Sequence, residues 1–110
     1  MAKAVRLRRR AADDIETVAE HLRREGDDAV AGRFVDAVER AFNHLGRHPQ
    51  TGSPRFSYEL DIPGLRSWPL RRFPYLVFVF YVDETDHLDI WRLLHSARDI
   101  SAWLADPEPT

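Results

Sequence analysis

The sequence contains no cysteine, and its longest apolar run is only YLVFVFYV, residues 75–82. The missing cysteine excludes disulfides, thiol catalysis and thiolate metal sites. The run is far shorter than the roughly 20 residues of a membrane-spanning helix, and no apolar segment follows the charged N-terminus as in a signal peptide. We therefore expect a cytoplasmic protein that is neither secreted nor inserted in a membrane.

The chain also lacks the short motifs that mark most catalytic sites. It has no glycine-rich phosphate loop, no nucleophile elbow, no H-E-x-x-H zinc motif and no carboxylate pair in a recognisable catalytic frame. The residues alone therefore do not require an enzyme, and no cofactor is expected.

A general excess of positive charge is absent as well, because the formal net charge is −2. This value argues against a generally basic nucleic-acid binder. The charges are nevertheless clustered, with basic blocks at residues 1–10 and 47–72 and acidic ones elsewhere. If the basic blocks meet in the fold, the molecule has one positive face, which leaves direct nucleic-acid binding open.

Apolar residues recur at helical spacing in two successive segments of the first half. The first stripe runs from Ala11 to Gly26 and carries acidic residues in its expected first turn, where they complement the helix dipole. Asp27 or Asp28 can cap a second helix, which Pro49 ends. The tight connection between the two predicts an antiparallel helical hairpin.

Alternating and apolar segments predict four strands. In AVRLR, Val5 and Leu7 alternate with charged neighbours, as in a half-buried strand. The segments LRSWPL, YLVFVFYV and HLDIWRLLH follow one another as an antiparallel meander, with Pro69 suited to an edge strand. The middle segment is apolar on both faces and so predicts a central strand, covered by the hairpin on one face and by a terminal element or a partner on the other.

The remaining segments predict a loop and a final helix. Residues 49–64 hold three prolines and two glycines and indicate an ordered crossing loop, held by Phe56 and Tyr58. Ser96 and Asp99 resemble a capping box. The helix that follows has an apolar face of Ile100, Trp103 and Leu104. The 110 residues thus predict one α+β domain in the order β-α-α-β-β-β-α, with the hairpin packed on a small, mainly antiparallel curled sheet.

Three arginines are candidates for binding an anionic partner. Arg71 and Arg72 lie in the turn between the second and third strands, and Arg66 comes one strand length earlier, so the three side chains are expected to converge at one end of the sheet. A guanidinium group offers paired donors to phosphate or carboxylate. The alternative is a solvated turn whose charges discourage aggregation at the strand edge.

Histidines offer two further candidates. His95 ends the last strand close to Arg98 and Asp99, where it is either a general acid or base or a hydrogen-bonded structural residue. His44 and His48 have the i, i+4 spacing of a metal pair, but no third ligand accompanies them. A benign helix C-terminus, where positive charge is favourable, is the stronger interpretation, and no metal site is expected.

The order of elements and several segments of the sequence resemble the ParE branch of the RelE/ParE toxins of type II toxin–antitoxin pairs. The matching segments are AADDIETVAEHL, HPQTGSPR, PGLRSWPLRRFPYLVFV, HLDIWRLLHSARDI and AWL. The resemblance extends over nearly the whole chain, since the segments are spread from residue 11 to residue 104. The resemblance implies a toxin that inhibits DNA gyrase, and so DNA replication, and that a ParD-like antitoxin neutralises by wrapping its C-terminal segment over the toxin.

The same superfamily includes RelE-like toxins that cut mRNA in the ribosome, so the fold alone does not choose a target. For the gyrase function, the target-binding candidates are Arg66, Arg71, Arg72 and Arg98. For the alternative endoribonuclease, the resemblance implies catalysis by Arg66, Arg72, Tyr75 and His95. The candidate antitoxin contacts, through strand addition to a free sheet edge or through apolar grooves, are Phe34, Val38, Phe42, Trp68, Phe78 and Trp91.

Overall fold

The structure is a computed structural model that describes residues 3–81 and 86–105, with the backbone alone at positions 101, 103 and 105. Its elements follow the predicted order with one additional helix. None of the helices in the described part is long and apolar enough to cross a membrane. In chain order the strands and helices are β1 (Ala4–Leu7), α1 (Arg9–Glu25), α2 (Asp28–Arg47), α3 (Arg55–Leu60), β2 (Leu65–Pro69), β3 (Tyr75–Phe80), β4 (His87–His95) and α4 (Ile100–Ala105).

The four strands form one sheet in the order β1-β4-β3-β2. The strands β2, β3 and β4 make the predicted antiparallel meander, whereas β1 pairs in parallel with the first half of β4. The register of β3 and β4 shifts by one residue, so that Val79 pairs with Ile90 and Phe78 with Arg92, leaving Trp91 as the bulged residue. Pro69 lies on the edge strand β2, as expected.

Both faces of the sheet are covered, which confirms β3 as a central buried strand. On one face, α1 and α2 pack Phe34, Val38 and Leu45 against a core that includes Val77 and Val79. The other face is covered by α3 and the terminal helix α4. Its buried cluster comprises Phe56, Leu65, Phe78, Leu94, Ile100 and Leu104.

The helix boundaries match the sequence signals at the hairpin and differ at the start of α1. Asp27 caps α2, because its carboxylate accepts a hydrogen bond from the Val30 N–H at 2.9 Å, and Gly26 ends α1. However, α1 begins at Arg9, two residues before the first apolar residue of its stripe, and its first turn contains no acid. The prediction of a dipole-stabilising acidic first turn was therefore wrong. The spacing of apolar residues shows where the buried stripe begins, but it does not show that the helix starts two residues earlier, at the arginines.

Two expectations about side-chain burial and strand length need correction. In β1 only Val5 is partly buried, whereas Leu7 is 45% exposed. The strand is short and at the sheet edge, and Leu7 is its last residue before α1 leaves the sheet. The segment YLVFVFYV forms β3 only as far as Phe80, and its last residue, Val82, lies outside the described residues.

The loop and the last helix also differ from the prediction. The segment 49–64 contains α3, a helix of six residues that is too short to show a sustained period. Phe56 is buried in that segment, but Tyr58 is 80% exposed and does not hold it down. Asp99, not Ser96, caps α4, because its carboxylate accepts from the Ala102 N–H at 3.2 Å. Ile100 and Leu104 are buried as predicted, whereas the Trp103 side chain lies outside the described part.

Candidate functional site

A groove of about 1020 Å³ runs between the outer face of α2 and the turn that joins β2 to β3. Its floor is apolar and its rim carries four arginines. We call it the basic groove and define it by the floor residues Ala41, Trp68, Leu70 and Phe73 together with the rim residues Arg33, Arg40, Arg71 and Arg72.

Side chains of α2 form one side of the groove's rim, because their helical spacing places them on one face of the helix. Arg33, Ala37 and Arg40 are separated by four and three residues, so their side chains lie along one face of α2. This face adjoins the stripe that α2 buries in the core, and Ala41 belongs to both. The small side chains of Ala37 and Ala41 leave the groove open between the two arginines.

The turn between β2 and β3 supplies the other side of the rim. The Leu70 N–H donates to the Tyr75 carbonyl at 2.9 Å, which closes the turn, and the Phe73 ring meets the buried Phe34 edge-on at 5.5 Å between centroids. Arg72 has a φ of 71°, in the left-handed region that favours glycine. Packing therefore fixes the turn while the side chains of Arg71 and Arg72 remain exposed.

The four rim arginines make no ion pair with any residue in the ranges 3–81 and 86–105. Some exposed arginines elsewhere are paired, as Arg23 is with Glu20 and Arg55 with Glu59. Asp36 is the acidic residue that lines the groove. The groove therefore combines an apolar floor with an excess of uncompensated positive charge, a combination that suits an anionic partner.

Trp68 forms the wall between the groove and the end of α2. Its indole stacks on the His44 imidazole at 4.5 Å and 21°, and His44 Nε2 lies 3.1 Å from Thr51 Oγ1. The His48 ring is 5.1 Å from His44. Among the described residues, no group of three metal-ligating side chains occurs, and the His44 ring serves as a packing surface for Trp68.

Arg66 does not join Arg71 and Arg72, which corrects the expectation that the three converge. Arg66 pairs with Val79, whereas the turn lies beyond the Pro69–Leu76 pair at the other end of β2. Its Nη1 donates to the carbonyl oxygens of Gln50 at 3.1 Å and Gly52 at 2.8 Å. Arg66 therefore tethers the segment before α3, a role that its position in the sequence did not reveal.

Of the four endoribonuclease candidates, only Tyr75 and His95 are in contact, with their rings edge-to-face at 5.2 Å. His95 Nδ1 accepts a hydrogen bond from the Ala97 N–H at 3.0 Å. In a neutral imidazole this contact places the proton on Nε2, so that the remaining nitrogen is a donor and not a base. Because Arg66 is also distant, the structure does not assemble the four residues into one site.

Arg98 is exposed but lies apart from the basic groove. It lines a second hollow of about 470 Å³ with Phe56, Leu76 and Ile100, on the face of the sheet that α3 and α4 cover. The four target-binding candidates are therefore divided among three places. Arg71 and Arg72 share the groove, Arg66 holds a loop, and Arg98 faces the second hollow.

Of the six candidate antitoxin contacts, three are buried and three are partly exposed. Phe34, Val38 and Phe78 are buried in the core with at most 4% exposure, so they cannot contact a partner while the fold is intact. This corrects their assignment, because a helical stripe cannot by itself distinguish core from surface. Phe42, Trp68 and Trp91 are partly exposed. Trp68 lies in the basic groove, whereas Trp91 packs on Phe80 beneath the opposite face of the sheet.

Sequence reasoning missed Arg33 and Arg40. Both lie in the acidic middle of the chain, where charge blocks drew no attention to them, although their spacing of seven residues beside the apolar stripe of α2 would have placed them on one face. Their proximity to Arg71 and Arg72 depends on how the hairpin packs on the sheet, which is a tertiary property.

A family model for the ParE toxin of the type II toxin–antitoxin system parDE matches residues 5–100. Among solved structures, the chain is similar to one from the chromosomal ParDE system of Pseudomonas aeruginosa, with 19% identity, a TM-score of 0.69, and 86% of this chain and 96% of that chain covered. It is also similar to one in the RelBE2 toxin–antitoxin complex of Mycobacterium tuberculosis, with 24% identity, a TM-score of 0.59, and 86% and 99% covered. No curated protein matches significantly.

Proposed function

The chain belongs to the ParE toxin family of type II toxin–antitoxin systems, and we propose that it inhibits DNA gyrase, and so DNA replication, until a ParD-like antitoxin neutralises it. The observation that carries this proposal is the family match, which covers residues 5–100 and thus both the helical hairpin and the sheet. The structural similarity to a chain of the ParDE system of Pseudomonas aeruginosa covers 86% of this chain.

The arrangement of the nuclease candidates supports gyrase over the ribosome as target. Cleavage of RNA requires a proton acceptor at the attacking 2′-hydroxyl, a proton donor at the leaving 5′-oxygen and cations at the scissile phosphate, held together. Here His95 offers only the donor, and Arg66 is engaged with backbone carbonyls opposite Val79, about four residues along β3 from Tyr75, so its charge is not held beside that donor. A gyrase inhibitor needs no such catalytic centre.

The basic groove is the surface that we assign to the target. Its arginines are exposed and lack ion-pair partners among the described residues, and its floor offers the partly exposed Trp68 and Phe73 to an apolar group. Complementary charge mainly speeds and orients association, while a buried aromatic anchor slows dissociation. The groove therefore fits an acidic protein surface that presents at least one apolar side chain.

The test is induced expression in cells without the antitoxin, with DNA synthesis and protein synthesis labelled separately. Early loss of DNA synthesis, together with cleavage complexes trapped on purified gyrase, is the expected result. Early loss of translation with cut mRNA would show that the ribosome, and not gyrase, is the target. Full growth and normal labelling at a verified level of folded protein would contradict a toxic function.

A matched pair of variants tests the groove itself. The double substitution Arg33→Glu and Arg40→Glu reverses charge on the rim, whereas Arg9→Glu with Arg47→Glu changes the net charge equally outside the groove, at two exposed arginines without ion pairs among the described residues. Loss of gyrase inhibition in the first variant and its retention in the second are expected. Full inhibition of gyrase by both variants would show that the basic groove does not bind the target.

A further inference from the structure

Trp68, a floor residue of the basic groove, is covered on one ring face by the imidazole of His44. Both side chains line the groove and both are partly exposed. Their rings are stacked, with centroids 4.5 Å apart and planes inclined by 21°. Because the two rings lie in contact and nearly parallel, rotation of either one disturbs the stack. The His44 ring therefore determines the orientation in which the indole meets a partner.

A neighbouring hydroxyl group holds the His44 ring and determines which ring nitrogen carries a proton. The Thr51 hydroxyl donates to the His48 carbonyl at 2.8 Å, and a hydroxyl has only one hydrogen to donate. Its oxygen is therefore the acceptor in the contact with His44 Nε2, which lies 3.1 Å away. The neutral ring thus carries its proton on Nε2, and a second proton adds to Nδ1.

Protonation of His44 changes the charge of its ring but keeps the contacts that hold the ring in place. The Nε2–H is present in the neutral and in the charged imidazole, so both forms can donate to Thr51. The charged form also stays over the indole of Trp68, since the face of an aromatic ring attracts cations. The groove can therefore gain a charge at this position while the geometry of the stack is retained.

The charged and titratable side chains that line the groove beside His44, or lie within one helical turn of it, are mostly cationic. They are Asp36, Arg40, Arg47 and His48 on α2, and Arg71 and Arg72 on the turn between β2 and β3. Strand β2 and the segment after α2 contribute the uncharged Trp68 and Thr51. An acidic partner in the groove brings negative charge among these groups, and so interacts more favourably with a charged His44 than with a neutral one.

We propose that His44 is a positioning residue of the target site, which orients Trp68 for contact with gyrase and, when protonated, adds a fifth positive charge to the basic groove. The inference rests on the proposed function, because it concerns the surface assigned to gyrase. Histidine side chains change charge between about pH 5 and 8. A partner that prefers the charged form binds with uptake of a proton, so its affinity falls as the pH rises through this range. The groove should therefore bind gyrase more tightly at pH 6 than at pH 8.

The affinity of the toxin for purified gyrase, measured between pH 6 and pH 8, tests the role of the charge. His44→Phe keeps a ring that can stack on Trp68 but cannot be charged. The ratio of the parent's affinity to that of His44→Phe is expected to rise about twofold to fivefold from pH 8 to pH 6, the effect of one exposed charge pair. The ratio also cancels the pH dependence of gyrase itself. A ratio that does not change with pH would overturn the role of the charge.

His48→Phe is the matched control for this measurement. The His48 ring lies 5.1 Å from that of His44, but His48 is outside the set of residues that line the groove. This variant is expected to keep the pH dependence of the parent. A flat pH profile for His48→Phe would assign the charge to His48 and contradict the proposal.

The orientation of the indole is tested by removal of the stacked ring. His44→Ala is expected to bind gyrase at least about twofold more weakly than His44→Phe at pH 8, because the indole loses the ring that orients it. Nuclear magnetic resonance of the free toxin gives a readout that does not involve gyrase. The Trp68 indole N–H signal should shift with the titration of the His44 ring, and this shift should disappear in His44→Phe. Thermal unfolding verifies that the variants are folded.

The outcomes distinguish this inference from the proposed function. Gyrase that binds the parent, His44→Phe and His44→Ala equally at every pH would overturn the role of His44 and leave the proposed function standing. A Trp68 signal that does not follow the His44 titration would contradict the coupling of the two rings, again without affecting the proposed function. Absence of gyrase binding by the parent at every pH would overturn both.

Discussion

Asp14 on α1 and Arg92 on β4, 78 residues apart, form a bidentate ion pair beneath the hairpin. Arg92 Nε and Nη2 donate to the two carboxylate oxygens at 2.8 and 2.9 Å, and the Arg92 side chain is 5% exposed. Asp14 also accepts from the Leu93 N–H. One carboxylate thus compensates a buried charge and completes the hydrogen bonding of a strand that β1 does not reach.

Replacement of Asp14 by alanine should destabilise the fold strongly. The substitution leaves the buried Arg92 guanidinium without its bidentate partner and the Leu93 N–H without its acceptor, at a cost of about 3 kcal/mol in the free energy of unfolding. In a domain of this size, the melting temperature is expected to fall by about 10 °C. The exposed neighbour Asp13→Ala is the control and should change stability by less than about 0.5 kcal/mol. Equal melting temperatures for the two variants would contradict the role of the pair.

Arg72 adopts a backbone conformation that glycine occupies at lower cost, which allows stability and function to be separated. Arg72→Gly relieves about 1 kcal/mol of left-handed strain but adds entropy to the unfolded chain, so the stability should stay within about 1 kcal/mol of the parent. Gyrase inhibition should nevertheless fall, because the guanidinium is lost from the rim of the basic groove. Arg72→Lys keeps the positive charge and should retain more activity than the glycine variant. Full toxicity of Arg72→Gly would exclude a contact between this side chain and the target.

The Tyr75 and His95 pair offers a direct test between the two targets. Tyr75→Phe keeps the ring that packs against Phe34 and His95, and His95→Gln keeps a polar side chain at the strand end. If gyrase is the target, each substitution should alter growth inhibition by less than about twofold, whereas loss of a catalytic acid or base typically costs about 10² to 10⁴ in rate. A large loss of toxicity in a folded variant would favour the endoribonuclease.

Much of the fold was predictable because it depends on local patterns. The Asp27 cap, the Gly26 stop and the unbroken apolar run of β3 each left a signal in neighbouring residues. The helix α3 left no such signal, because six residues between Pro54 and Asp61 are too few for a period to emerge. For short segments, burial of one residue such as Phe56 decides the structure, and that burial depends on distant parts of the chain.

The candidate site was harder to predict, because long-range packing determines which arginines meet. Arg71 and Arg72 were found from their position in a turn, but Arg33 and Arg40 join them only through the docking of α2 on the sheet. Arg66 shows the opposite case, since an arginine near the others in sequence is directed to backbone carbonyls. Charge spacing along one strand therefore cannot establish that cations share a site.

Arg66 should prove to be a stabilising residue with no part in target binding. Its guanidinium holds the Gln50 and Gly52 carbonyls, and the Gly52 position tolerates no side chain, because a Cβ there would lie 2.9 Å from the Arg66 Cβ. Arg66→Ala removes charged donors from these carbonyls and should lower the free energy of unfolding by about 1.5 to 3 kcal/mol. At a temperature where the variant is folded, its inhibition of purified gyrase should equal that of the parent, in contrast to the Arg33→Glu and Arg40→Glu variant. A folded Arg66→Ala protein that no longer inhibits gyrase would return Arg66 to the target surface, and would mean that the surface extends from the basic groove across β2.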